Sequence, residues 1–143
     1  MNRAVKSLLI ASALLTLAGC PGPFAPTTTT IELVNAGSFA VSVTIYIGGS
    51  QETTEVLLTT LGTKIEQTVA AGQTATITRD CDDLQAIIVD DADLQLLGGI
   101  GPDANTGVYR DGTDFGCGDT IRFTFSHPAI PTSLEIDTTF VNR

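Results

Sequence analysis

The chain has 143 residues, of which 16 are acidic and 7 basic, and it carries a formal net charge of −9 with no tryptophan. That length supports one domain with a sizeable core and is too short for two. An acidic body repels nucleic acid and anionic headgroups, so neither a nucleic-acid partner nor charge-driven adhesion to a membrane is expected.

The first twenty residues differ in kind from the rest. Arg3 and Lys6 form a basic n-region, Leu8 to Leu17 is an apolar run, and the small residues Ala18 and Gly19 precede Cys20. A bilayer core of about 30 Å needs roughly 20 helical residues, so this run is too short to span it and reads as a secretory signal over residues 1–19. Leu17-Ala18-Gly19-Cys20 resembles the lipobox of bacterial lipoproteins. The resemblance implies cleavage before Cys20, a diacylglyceryl group on its sulfur, and an extracytoplasmic protein anchored in a membrane. It covers the first twenty residues alone; the other reading of them is an ordinary signal with a chance cysteine. Pro21 stands where, by the same resemblance, an aspartate would suggest inner-membrane retention, which favours the outer membrane. Loss of Arg3 and Lys6 with the signal leaves 16 acidic against 5 basic residues. Lipid must then supply the attachment, and the several acyl chains of a mature lipoprotein suffice where one would be marginal.

Residues 20–30 read as a tether. Three prolines in Pro21-Gly22-Pro23-Phe24-Ala25-Pro26 favour extended polyproline geometry, and Thr27 to Thr30 continue it. From residue 31 to 143 the apolar period is mostly two, as expected of strands with one face on a core. Ile31 to Val34 is the first predicted strand. Val41, Val43, Ile45 and Ile47 alternate with Ser42, Thr44 and Tyr46 in the second. Thr53 to Leu61 fits either a short helix or an edge strand. Ile65 to Val69 and Thr74 to Arg79 are expected to pair as a hairpin across Ala71-Gly72-Gln73. Leu84 to Val89 is apolar without alternation, as in a strand buried on both faces, and Ala92 to Leu97 reads as another strand. Ile121, Phe123 and Phe125 share a face, as do Leu134, Ile136 and Phe140. Seven to nine short strands separated by turn signals predict an all-β, two-sheet antiparallel sandwich of immunoglobulin-like or transthyretin-like type.

With Cys20 assigned to lipid, Cys81 and Cys117 remain as a pair in an oxidising compartment, two buried free thiols being the other reading. Two cysteines and one histidine without C-x-x-C spacing make a poor zinc set. Asp80, Asp82 and Asp83 flank Cys81, while Asp111, Asp114 and Asp119 surround Cys117; a bond between the cysteines would bring the two groups together. Converging carboxylates suit Ca²⁺, a hard cation that takes six to eight oxygens, although none matches the known calcium-loop pattern. Aspartates also populate turns because they hydrogen-bond local backbone, and the same residues fit that role. Asp90, Asp91 and Asp93 form a further acidic group.

His127 sits after a strand with no nucleophile-elbow spacing near it, as an exposed loop histidine. Gly98-Gly99-Ile100-Gly101-Pro102-Asp103-Ala104 formally contains G-x-G-x-x-A, but its neighbours are loop residues and no βαβ unit surrounds it. Sugar-binding sandwiches expose aromatic platforms, and here the candidates are Tyr46 on an outer strand face and Tyr109 on a loop. No residue set points to catalysis. The sequence thus predicts a non-enzymatic structural or interaction module, without a cofactor unless it holds Ca²⁺, facing an envelope protein or polysaccharide. Binding of envelope carbohydrate or a divalent cation is the alternative.

Overall fold

The computed structural model describes residues 25–97 and 99–142. The signal, the lipobox and Cys20 lie outside the described residues. Among those described, no helix is long and apolar enough to cross a membrane.

Two sheets face one another. β1 (Thr28–Asn35), β4 (Thr74–Asp80), β8 (Thr120–Ser126) and β9 (Glu135–Val141) form the first, in the order β4-β1-β8-β9. β2 (Val41–Gly48), β3 (Thr63–Val69) and β5 (Ala86–Leu94) form the second in the order β3-β2-β5, and the short β6 (Asp103–Ala104) and β7 (Tyr109–Arg110) share the outer side of β5. The predicted sandwich is the observed one. Among the described strands the pairings are antiparallel except β1 with β8, which runs parallel from Thr30 opposite Thr120 to Asn35 opposite Phe125.

Period-two alternation builds the core between the sheets. Ile31, Leu33, Ile121, Phe123 and Phe125 meet Val41, Val43, Ile45, Ile87, Val89 and Leu94, all nearly or fully buried. β5 accounts for two sequence features at once. Register against β2 slips between Thr44 and Ile45, so that Thr44 faces Asp91 while Ile45 faces Val89. The extra residue is a β-bulge that moves the inward phase from Ile87 and Val89 to Ala92 and Leu94. What the sequence reads as two strands is therefore one bulged strand. Its first half is buried on both faces because Ala86 and Ile88, pointing outward, pack with Leu58 beneath a helix.

That helix, α1 (Glu55–Leu61), settles the ambiguous segment. Thr54 caps it, its hydroxyl accepting from the Leu57 amide, and Glu55 suits the positive end of the helix dipole. Three expectations are corrected. Thr28 to Thr30 belong to β1 and not to the tether, because threonines alternate as well as other β-formers against Thr78 to Asp80 of β4. Ala92 to Leu94 continue β5, and Leu96 and Leu97 follow it outside any strand. Finally, β3 and β4 are not a hairpin. The turn after Val69, with Gly72 at φ +68°, carries the chain from one sheet to the other, and β3 pairs with β2 while β4 pairs with β1. Alternation records which side chains face inward and is silent about which strand lies alongside.

Candidate functional site

The strand directions divide the sandwich into two poles. β1 starts at one pole with Thr28 opposite Asp80, and Gly48, at the end of β2, lies opposite Ala86 there. The chain enters at this pole: the Cys81 amide donates to the Thr27 carbonyl at 2.9 Å, and the sulfur of Cys117 lies 3.0 Å from the Pro26 carbonyl oxygen. Cys81 and Cys117 are joined as a disulfide, with a Cα–Cα distance of 5.4 Å. The bond fastens the loop before β8 to the end of β4, beside the entering chain.

The disulfide does bring the two flanking acidic groups to one pole, where two of the six carboxylates serve local backbone. Asp114 Oδ2 accepts from the Arg110 amide and Asp119 Oδ2 from the Gly116 amide, each at 2.7 Å. Asp111 Oδ2 accepts from the Gln51 side chain at 3.3 Å. Asp80 ends β4, and Asp82 and Asp83 are exposed in the turn that follows. Among the described residues, no cluster of three or more His, Cys, Asp or Glu is arranged to hold a metal ion. Arg110, which the sequence reading passed over, organises this pole: its guanidinium donates to the carbonyls of Gln51, Thr53 and Val108, fixing the approach to α1.

A different acidic surface emerges on the outer face of the second sheet. Ser42, Thr44, Glu66, Thr68 and Asp93 line a shallow depression of about 260 Å³. Partial burial pushes the Asp91 carboxyl above its usual range, and the charge of Asp93 and a hydrogen bond with it, then Asp103 and Asp90, push it further. Folding therefore opposes ionisation of Asp91. Its contribution to stability is full below the ordinary carboxylate range and declines as pH rises through the raised value. Asp91→Asn should raise the melting temperature by about 1–2 °C near pH 7 and leave it unchanged near pH 3, solvent screening keeping the gain small. A fall at neutral pH would refute the repulsion.

Neither tyrosine is a free platform. Tyr46 is half-buried against the cluster of Leu58, Ala86 and Ile88 under α1. Tyr109 lies in β7 and not in a loop; its ring meets Phe140 edge-on at 5.3 Å and its hydroxyl donates to Thr138 at 3.1 Å. His127 is half-buried, and its Nε2 accepts from the Ser38 amide at 3.0 Å with the Ser38 hydroxyl at 3.3 Å. The other ring nitrogen lies 2.8 Å from the Pro128 carbonyl and donates to it. This pairing of residues 89 positions apart was invisible in the sequence. It acts as a clasp, because the Nε2 lone pair that a base would need already holds a backbone N–H. The glycine-rich segment opens no helix; its end is β6, and Gly98 lies outside the described residues.

The opposite pole carries exposed apolar side chains on three loops. Phe39 lies between β1 and β2, Leu97 and Ile100 between β5 and β6, and Ile130 between β8 and β9. The loops are stitched to one another by the Gln95 amide donating to the Ala40 carbonyl at 2.8 Å and by the Phe39–His127 ring contact at 5.6 Å.

No protein-family model matches the chain, and none of the curated proteins matches it. Among solved structures it is similar to a protein from Eubacterium rectale determined by NMR, at 12% identity and a TM-score of 0.46, over 78% of this chain and 87% of that one. It is also similar to the T6SS lipoprotein TssJ1 from Pseudomonas aeruginosa, at 14% identity and a TM-score of 0.42, over 80% of this chain and 97% of that one.

Proposed function

We propose that the chain is a bacterial lipoprotein of the cell envelope, anchored through lipid on Cys20, whose β-sandwich is a non-enzymatic interaction module. The observation that carries the anchor is the disposition of the cysteines. Cys81 and Cys117 consume one another, and Cys20 alone follows Leu17-Ala18-Gly19. The interaction role rests on the pole opposite Pro26 and Thr27, where Phe39, Leu97, Ile100 and Ile130 are exposed on loops. Four exposed apolar groups on adjoining loops of a small acidic domain favour docking of a protein. The outer membrane is the destination that Pro21 favours.

Fractionation of cells expressing the full chain tests the anchor. The wild type should sediment with membranes and yield, by mass spectrometry, an N-terminal Cys20 peptide carrying acyl chains. Cys20→Ser should give an uncleaved or soluble form. Membrane retention of Cys20→Ser equal to that of the wild type, or an unmodified N-terminus, would defeat the reading.

A further inference from the structure

We infer that α1 is a membrane-contact element: its apolar side chains sit in the lipid–water interface beneath the domain and set the angle at which the sandwich stands. The inference rests on the lipoprotein reading, since it requires the chain to be held at a bilayer. Its physical basis is an apolar surface that the fold leaves uncovered. Leu58 fills the contact with Ala86 and Ile88 and is fully buried, whereas Val56, Leu57 and Leu61 are 73%, 49% and 78% exposed. At 3.6 residues per turn, Leu57 and Leu61 lie one turn apart on the side of the helix that flanks Leu58, whose side chain forms the floor between them and the sheet. They line a groove of about 250 Å³ with Gly48, Gly49, Ser50 and Gly62, at the end of β2.

The position of the entering chain identifies the occupant. Gly49 lies against Asp82, next to Cys81, whose amide binds the Thr27 carbonyl. The apolar side of α1 is thus at the pole where the chain enters, and only Pro21 to Pro26 separate Cys20 from this pole. At about 3.1 Å per residue, six residues reach less than about 20 Å, which holds the pole within contact distance of the headgroups. A surface this small would not bind a membrane unaided; tethering converts the contact into an intramolecular event at high effective concentration. Apolar burial, not headgroup attraction, drives it, because Glu52 and Glu55 beside the start of α1 and Asp82 and Asp83 in the turn after β4 stand exposed at this pole. Anionic lipid should therefore weaken the contact.

The test places a bimane fluorophore at Thr60→Cys on α1 or at Ser133→Cys on the far pole, in vesicles of phosphatidylcholine and phosphatidylethanolamine with dibrominated acyl chains. One arm uses the lipidated mature protein. The second uses the chain from Pro21 with an N-terminal histidine tag captured on nickel-chelating lipid, which supplies a tether whether or not Cys20 is ever acylated. Bromolipid should quench the label on α1 at least about twofold more than the far label in both arms, as expected for a helix seated at the acyl boundary. Val56→Ser/Leu57→Ser should abolish the difference with the melting temperature unchanged. Quenching in the tagged arm with no lipidated product would fail the lipoprotein reading and leave the surface affinity standing. Equal quenching at both labels in the tagged arm would overturn the inference. So would shielding of Thr60→Cys from aqueous iodide without bromolipid quenching, since a second copy or another protein would then cover the groove.

Discussion

Cys81→Ala/Cys117→Ala should lose about 3–4 kcal/mol of unfolding free energy, because the bond closes a loop with a sequence separation of 36. For a domain of this size the loss lowers the melting temperature by about 10–15 °C. The native geometry adds a local consequence to the chain-entropy one. Cys81 also donates its amide to Thr27, and Cys117 sits against Pro26, so the staple, the start of β1 and the entering chain form one knot. In the variant the loop from Asp111 to Asp119 keeps its aspartate–amide bonds but no longer has a covalent hold on β4. Amide exchange should accelerate first at Thr28 to Thr30 and around Gly116. Dithiothreitol should bring the wild type to the same midpoint as the variant. If neither the substitutions nor the reductant moved the midpoint, the bond would be absent from the protein in solution.

Much of this architecture was legible because a sheet face repeats every two residues. Val41 to Ile47 and Ile121 to Phe125 each placed the correct side chains in the core. Legibility failed where the physics is non-local. The bulge at Asp90 made one strand resemble two, and the uninterrupted apolar stretch before it became intelligible once Leu58 was seen to cover the outer face of β5. The turn at Ala70 to Gln73 has the composition of a hairpin, yet partner choice depends on the whole sheet. At the candidate sites the cysteine pair followed from the lipobox resemblance, which set Cys20 aside and left Cys81 and Cys117 either bonded or as two free thiols; they are bonded. The Ser38–His127 clasp, the three bonds of Arg110 and the two poles were not legible, since each depends on loops distant in sequence meeting at one end of the sandwich. Asp80 to Asp119 illustrate the ambiguity of composition: the same carboxylates suit a cation or a turn, and at Asp114 and Asp119 local amides claim them.

Asn35→Ala should lose about 3 kcal/mol, a cost set by the partners it strands. Asn35 is 1% exposed and every polar atom of its side chain is engaged. Nδ2 donates to the Phe39 and Val69 carbonyls at 2.8 and 2.9 Å, and Oδ1 accepts from the Gly37 amide at 2.9 Å. One amide thus ties the end of β1 to the end of β3 in the facing sheet and shapes the loop that presents Phe39. Alanine leaves two carbonyls and an amide without this partner, the Val69 carbonyl at a buried position and the other two at part-buried ones; unsatisfied buried groups cost about 1–3 kcal/mol each, less where the site is partly open. Asn35→Asp separates hydrogen bonding from packing, since it preserves shape and Oδ1 but turns both donated bonds into oxygen–oxygen contacts. A carboxylate facing two carbonyl oxygens is raised in pKa, so its protonated form restores one donor. The aspartate variant should accordingly be more destabilised near pH 7 than near pH 4, relative to wild type, whereas the alanine variant should show the same deficit at both. Equal deficits for the aspartate variant at the two pH values would mean that the side chain at position 35 is hydrated, and that the two sheets are not joined through it.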